Sequence, residues 1–211
     1  MDLLRSLGAK SVPIVSKGNK FVFAQSIGDV VEFLGLDVDT KPQLSPQELI
    51  QKYELILGAA VRHIRQIPDD QLSGKILNRD RTYRELSFHI FRIAEAVIDV
   101  ADGNKLTYSY YQDQPPADMK TVEQIASFGE KVIERLLSWW TNYDYKNGTA
   151  IVETYFGKKP LHEVLERSTW HSGQHVRQIM MALEKFMDIQ PENPLSSADF
   201  EGLPMPDKVW D

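Results

Sequence analysis

Trp170-His171-Ser172-Gly173-Gln174-His175-Val176-Arg177-Gln178 places two of the chain's five histidines four residues apart. In an α-helix, residues i and i+4 lie on one face, one turn apart. Outward from this stretch, Leu161, Val164, Leu165, Ser168, His171, Ser172, His175, Ile179, Ala182, Leu183 and Phe186 follow a single helical stripe. The two histidines therefore fall among core positions. Imidazoles there need partners, because a polar group buried without one is costly. A bound metal is one solution and a hydrogen-bonded pair is the other. The motif alone leaves both open, since H-x-x-x-H also arises by chance in helices.

Composition narrows the classes. The 211 residues suit one domain with a small appendage, and 42% hydrophobic with 26% charged residues is ordinary for a soluble globular chain. No apolar run approaches the ~20 residues that span a bilayer. The N-terminus lacks the pattern of a secretory signal. No membrane partner is expected, and cytoplasmic location is the default. A net charge of −6 argues against a nucleic-acid partner, which calls for a basic face. The nearest basic run is Lys75, Arg79, Arg81 and Arg84, broken by Asp80. It reads as a solvated turn, with anion binding by Arg84 or its neighbours as the alternative. The absence of cysteine excludes a disulfide framework, a thiolate metal site and an internal thiol nucleophile.

The chain opens on a unit unlike the rest. Within residues 1–36, Ser11 to Val15 reads as a strand, Lys17 to Lys20 as a turn and Phe21 to Ala24 as a returning strand. Ser26 then caps a short helix that Gly35 stops. Residues 37–45 read as a linker. From residue 46 onward four amphipathic helices follow. Ser45 and Pro46 start the first, which should reach about Ile67 before Pro68. His63 lies beside its apolar stripe and reads as a histidine satisfied by a neighbour. Thr82 and Glu85 form a capping box for the second helix, expected to run to about Ala101 with His89 among its core positions. A long connection, 104–120, carries Tyr108, Tyr110 and Tyr111 and is expected to pack over a pocket or a subunit boundary. Thr121 and Gln124 cap the third helix, which ends near Asn142. Thr149 to Phe156 has strand character, with Tyr143 to Tyr145 as the expected hairpin partner. Pro160 opens the fourth helix, which carries the His171/His175 stretch. The tail, with Pro191, Pro194, Pro204 and Pro206, cannot be a regular helix through those points. Phe200, Leu203, Met205 and Trp210 are its apolar anchors on the body.

These elements make a mainly α protein, a four-helix bundle with a small β-β-α appendage. Bundle cores recurrently host metals between facing helices. His89, His171 and His175 can meet there as three neutral imidazoles. Such a set leaves at least one coordination position open, which is the catalytic rather than the structural zinc pattern. Gln178, three residues after His175, can orient that ligand or make an ordinary inter-helix hydrogen bond.

Two resemblances attach to these residues. Residues 1–36, with Val12-Pro13, resemble the C-terminal half of a glutaredoxin or thioredoxin-like domain. The first half and its C-x-x-C motif are missing, so no redox activity carries over. Residues 46–211 resemble the DinB-like metalloprotein family. The likeness rests on His89 in the second helix, on His171, His175 and Gln178 in the fourth, on Ile67-Pro68 and on Leu203 to Trp210. The resemblance implies a four-helix bundle with one divalent metal on the three histidines, zinc or nickel first, manganese or iron next. It implies a transferase that uses a low-molecular-weight thiol, such as bacillithiol or mycothiol, on an electrophilic substrate. It also implies a homodimer. The alternative within the same resemblance is a non-catalytic, stress-associated metal-binding module. A metal-free interaction bundle is the third reading.

Overall fold

A computed structural model describes residues 8, 13–76 and 80–209 of the chain. Ser11, Val12, Arg79 and Trp210, named above, lie outside the described residues. The chain divides into two compact units, Met1–Pro42 and Gln43–Asp211.

The first unit is a hairpin followed by a helix. β1 (Ile14–Lys17) pairs antiparallel with β2 (Lys20–Phe23), with Val15 opposite Val22. Gly18 turns the chain at φ 61°, a left-handed conformation that glycine adopts without penalty. Helix α1 (Ile27–Leu34) starts where the Ser26 side chain accepts from the Asp29 N–H. It stops at Gly35, also left-handed, whose N–H reaches back to Glu32 and Val31. None of the residues of α1 is fully buried, as expected of a unit with so little surface to cover.

The second unit holds four long helices: α2 (Pro46–Ile64), α3 (Tyr83–Ala101), α4 (Val122–Asn142) and α5 (Leu161–Phe186). The first three begin with capping boxes, Ser45/Glu48, Thr82/Glu85 and Thr121/Gln124. In each, the side chains satisfy one another's otherwise orphaned backbone donors. Helix α2 ends three residues earlier than Ile67, because the chain tightens through single turns ahead of Pro68. Helices α2 and α3 each pack against both α4 and α5, which places one apolar core among all four. Leu49, Tyr53, Ile56, Leu57, Ile90, Ile93, Leu136 and Ile179 are among its fully covered members. The stripe on α5 stays buried as far as Leu183 apart from half-buried His171, but Phe186 is 45% exposed in the last turn. There the chain leaves the helix through Asp188 at φ 56°. No described helix is long and apolar enough to cross a membrane.

One local pairing differs from the sequence reading. β3 (Ile151–Thr154) pairs with β4 (Gly157–Pro160), not with Tyr143 to Tyr145. A tight turn at Tyr155-Phe156 folds the strand straight back. Gly157 adopts φ 117° there, and the Thr154 hydroxyl donates to the Gly157 carbonyl at 2.6 Å. Pro160 closes β4 and leads directly into α5.

The entry to the second unit is tied to α5 by two titratable side chains. His162 Nε2 lies 2.7 Å from the Leu44 carbonyl, and Glu166 accepts from the Gln43 N–H. Burial and the neighbouring Glu163 carboxylate nevertheless push Glu166 up to about 7. The folded protein therefore holds a proton on Glu166 in a pH range where the unfolded chain does not. Its contribution to stability is full at low pH and is lost as pH rises through about 7. Glu166→Gln should raise the melting temperature at about pH 8 and leave it unchanged at about pH 4. The expected gain is only about 1 kcal/mol, because the group is half exposed and partly screened. A pH-independent shift in thermal melts would contradict this assignment.

Candidate metal centre

His89 sits midway along α3, and His171 and His175 sit one turn apart midway along α5. A buried polar chain between the helices sets their register. The Tyr53 hydroxyl on α2 lies 3.0 Å from Ser172 Oγ, and Ser172 Oγ donates in turn to the Ile90 carbonyl at 3.1 Å. Ser172 already donates to Ile90, so Tyr53 must be the donor to Ser172. Burial holds this phenol protonated, far above its ordinary range. The chain thus links α2, α5 and α3 beside His89 and between the two α5 histidines.

The result is a three-imidazole cluster. Ring centroids lie 5.1 Å apart for His89 and His175, 5.6 Å for His89 and His171, and 4.8 Å for His171 and His175. One nitrogen of each lies within 4.8 Å of the others, close enough to hold a metal ion after a small inward shift of the rings. A tetrahedral ion with bonds of about 2.0–2.1 Å would bring those nitrogens to about 3.4 Å from one another. Among the described residues, this is the group of histidines and carboxylates that meets such a condition.

The electrostatics suit ligation. Burial first, then electrostatic coupling to His175 and the Arg81 guanidinium, hold His89 well below the usual histidine range. Burial, His175, Arg167, His89 and Arg81, in that order, do the same for His171. Both rings are thus neutral at physiological pH, the form that coordinates a cation. Nδ1 of His89 and Nδ1 of His171 are buried without a hydrogen-bond partner, an arrangement that costs free energy unless something else engages these rings. His175 Nδ1 lies 2.7 Å from Gln178 Oε1. The carboxamide oxygen only accepts, so His175 carries its proton on Nδ1 and keeps the Nε2 lone pair for a metal.

Gln178 therefore orients the His175 ring. Gln178→Ala should weaken metal affinity by about 10–100-fold, whereas Gln178→Glu, which keeps an acceptor, should retain it. Competition with a chromophoric chelator reads both. Unchanged affinity in the alanine variant would reduce Gln178 to a packing contact.

The remaining sequence candidates separate cleanly. His63 is fully buried on α2, with Nδ1 3.4 Å from Gln66 Oε1, and is not in the cluster. Arg84 donates through Nε to the Met119 carbonyl at 2.7 Å and through Nη2 to the Pro116 carbonyl at 2.6 Å. Its guanidinium thereby holds the tyrosine-bearing connection against α3. Arg92 does the same further along, pairing with Asp113 at 2.8 Å and lying over the Tyr110 ring. These clamps bring Tyr111 over the histidines, its ring stacked on His171 at a centroid distance of 5.6 Å.

Two residues beside the cluster were not singled out from sequence. Arg167 precedes His171 by one helical turn, and its Nη1 donates to the Tyr111 hydroxyl at 2.9 Å. Tyr155, from the β3–β4 turn, receives Arg167 Nη2 at 3.3 Å. The i−4 spacing of Arg167 from His171 was the available signal. Nothing local marked Tyr155 or told Tyr111 apart from Tyr108 and Tyr110, because their positions depend on the path of the connection and on the hairpin turn.

No protein-family model matches the chain, and no curated protein matches it.

Proposed function

We propose that the second unit is a four-helix bundle of the DinB-like kind that binds one divalent metal ion through His89, His171 and His175, zinc or nickel foremost. We further propose that it is a transferase that joins a low-molecular-weight thiol to an electrophile. The observation that carries this reading is the convergence of three imidazoles from α3 and α5, those of His89 and His171 neutral, with the third held by Gln178. Three protein ligands leave a coordination position for a small molecule. A divalent ion supplies concentrated positive charge there, which lowers the pKa of a thiol that reaches it.

The chain has no cysteine, so the thiol comes from a cosubstrate. In the transfer, the thiol gives its proton to solvent and its sulfur lone pair forms a bond to the electrophilic carbon. The leaving group departs with the electrons of the bond that breaks. The roles of the protein side chains are positional. Gln178 fixes His175, the Tyr53–Ser172 chain fixes the approach of α3 to α5, and Tyr111 limits access of water.

The placement of Tyr111 on His171 also supports a second reading, a non-catalytic metal-binding module whose site is closed by that ring. The two separate in one assay. Metal-loaded protein is mixed with bacillithiol or mycothiol and chlorobimane, and the fluorescent thioether is followed as chloride leaves. Turnover that disappears on chelation and returns with zinc or nickel supports the transferase. Equal rates with and without metal leave the module.

A further inference from the structure

The connection between α3 and α4 is fastened at both ends. Leu106 is buried and donates its N–H to the Glu153 carbonyl at 2.8 Å. At the other end Arg84 holds the Pro116 and Met119 carbonyls, and Pro115-Pro116 stiffen the backbone. Between these anchors lie residues 107–114, of which Tyr111 alone is buried. Their backbone bonds are local, from the Tyr110 N–H to the Thr107 carbonyl and from the Gln112 N–H to the Ser109 carbonyl. A stretch with so little buried surface can move as a unit without breaking a ladder of bonds to the body.

Arginine side chains from the bundle grip this stretch. Arg92 Nε donates to Asp113 at 2.8 Å, and its guanidinium lies 4.5 Å from the centre of the Tyr110 ring. Arg167 donates to the Tyr111 hydroxyl at 2.9 Å and Arg81 to the Tyr111 carbonyl at 3.1 Å. The Tyr111 ring is thereby set against two of the three clustered histidines. It stacks on His171 and lies edge-on to His89 at a centroid distance of 6.1 Å. A reagent arriving from this side meets Tyr111 before it meets either imidazole.

Opening strands few partners. Arg92 also pairs with Glu95 at 3.2 Å and with Asp99 at 3.8 Å, so it stays satisfied when Asp113 leaves. The Asp113 side chain is 40% exposed and returns readily to water. Arg167 keeps the Tyr155 hydroxyl.

We infer that residues 107–114 form a gate over the three-histidine cluster, latched by the Arg92–Asp113 pair and plugged by Tyr111, and that its opening admits ions and small reagents to the imidazoles. Asp113 is a positioning residue that acts on the cluster through Tyr111. The inference rests on the metal-binding reading above for the identity of the ion that passes. The gate itself belongs to the chain with or without metal.

The test uses the full chain in two forms. In the metal-free form, diethyl pyrocarbonate modifies accessible imidazoles, and fragment-resolved mass spectrometry reads the rate at His89 and His171. His162, which serves the Leu44 carbonyl instead, is the internal reference. Asp113→Asn should quicken modification of both clustered rings about two- to fivefold, the weight of one half-exposed ion pair, and leave His162 unchanged. Asp113→Glu should restore the parent rate. Tyr111→Ala should quicken modification about tenfold or more. Asp113→Asn added to Tyr111→Ala should then bring no further gain, because the latch no longer holds a plug. In the zinc-loaded form, uptake of zinc and its release to a chromophoric chelator should both quicken about two- to fivefold in Asp113→Asn, with the affinity unchanged. That pattern marks a lowered barrier rather than a damaged ligand set. Circular dichroism verifies folding of each variant.

Equal rates in the parent and Asp113→Asn in either form, an equal gain at His162, or a full Asp113→Asn gain in the Tyr111→Ala background would overturn the gate. If the chain holds no zinc, the metal reading fails, and the modification rates at His89 and His171 alone decide whether the gate stands.

Discussion

His171→Ala loses stoichiometric metal binding while the fold persists. The proposed ligands are two imidazoles from one helix and one from another, and removal of His171 leaves a single contact from each. Two monodentate imidazoles do not retain a divalent ion against competing buffer at micromolar metal, so elemental analysis after desalting should fall from about one ion per chain to near zero. The fold survives because the link between α5 and α3 at this level runs through Ser172. Its hydroxyl bonds to Tyr53 and to the Ile90 carbonyl are untouched by the substitution. His162→Ala is the matched control. His162 lies on the same helix but serves the Leu44 carbonyl, so this variant should keep full metal occupancy. Undiminished metal in His171→Ala would remove His171 from the ligand set.

The second large effect concerns packing. Gly129→Ala should destabilise the protein although alanine is the better helix former. Gly129 lies on the buried face of α4, and a methyl group at its Cβ position would occupy the space of the Phe91 ring. Phe91 is completely buried and meets Phe128 edge-to-face at 6.2 Å, so its ring has no free volume into which to retreat. Overpacking of this kind costs about 2–3 kcal/mol net, outweighing the gain of about 1 kcal/mol in helix propensity. For a unit of this size the melting temperature should fall by roughly 5–10 °C. Gly58→Ala supplies the contrast. Gly58 is also within a helix, but a Cβ there meets nothing within 4 Å. It should stabilise by about 0.5–1 kcal/mol. Thermal melts of the two variants should therefore move in opposite directions, and a rise for Gly129→Ala would contradict the close approach of α4 to α3.

Much of the architecture was legible because its determinants are local. Capping boxes at Thr82/Glu85 and Thr121/Gln124, together with Ser45 and Pro46, announce helix starts from side chains within a few residues of each other. The i, i+4 spacing of His171 and His175 needs only helical geometry. His89 is different. Its membership of the cluster depends on the register of α3 against α5, which Tyr53, Ser172 and the Ile90 carbonyl set across 119 and 82 residues of sequence.

The remaining features depend on contacts distant in sequence. The strand character of Ile151 to Thr154 was visible, but Lys158-Lys159 has no apolar signal, and its pairing follows from the turn at Gly157. The sequence of the tyrosine-bearing connection points to a cover over a pocket or subunit boundary only in outline. Which tyrosine reaches His171 depends on Arg84 and Arg92 gripping distant carbonyls and a carboxylate. Arg84 illustrates the limit of a charge read from sequence. Its place in a basic run reads as a solvated turn with anion binding as the alternative, and in the fold its Nε and Nη2 serve the Met119 and Pro116 carbonyls. Arg167, isolated in sequence, is the cation that lies beside Tyr111 and the histidines.

Three histidines are proposed to form a divalent-metal site with an open position. X-ray absorption on the full chain, loaded with zinc or nickel and coupled to elemental analysis, tests it most directly. We expect about one ion per chain, bound by three imidazole nitrogens and a light-atom ligand that exchanges for added thiol sulfur. A chain that retains no ion after loading, or an ion without three imidazole ligands, would contradict it.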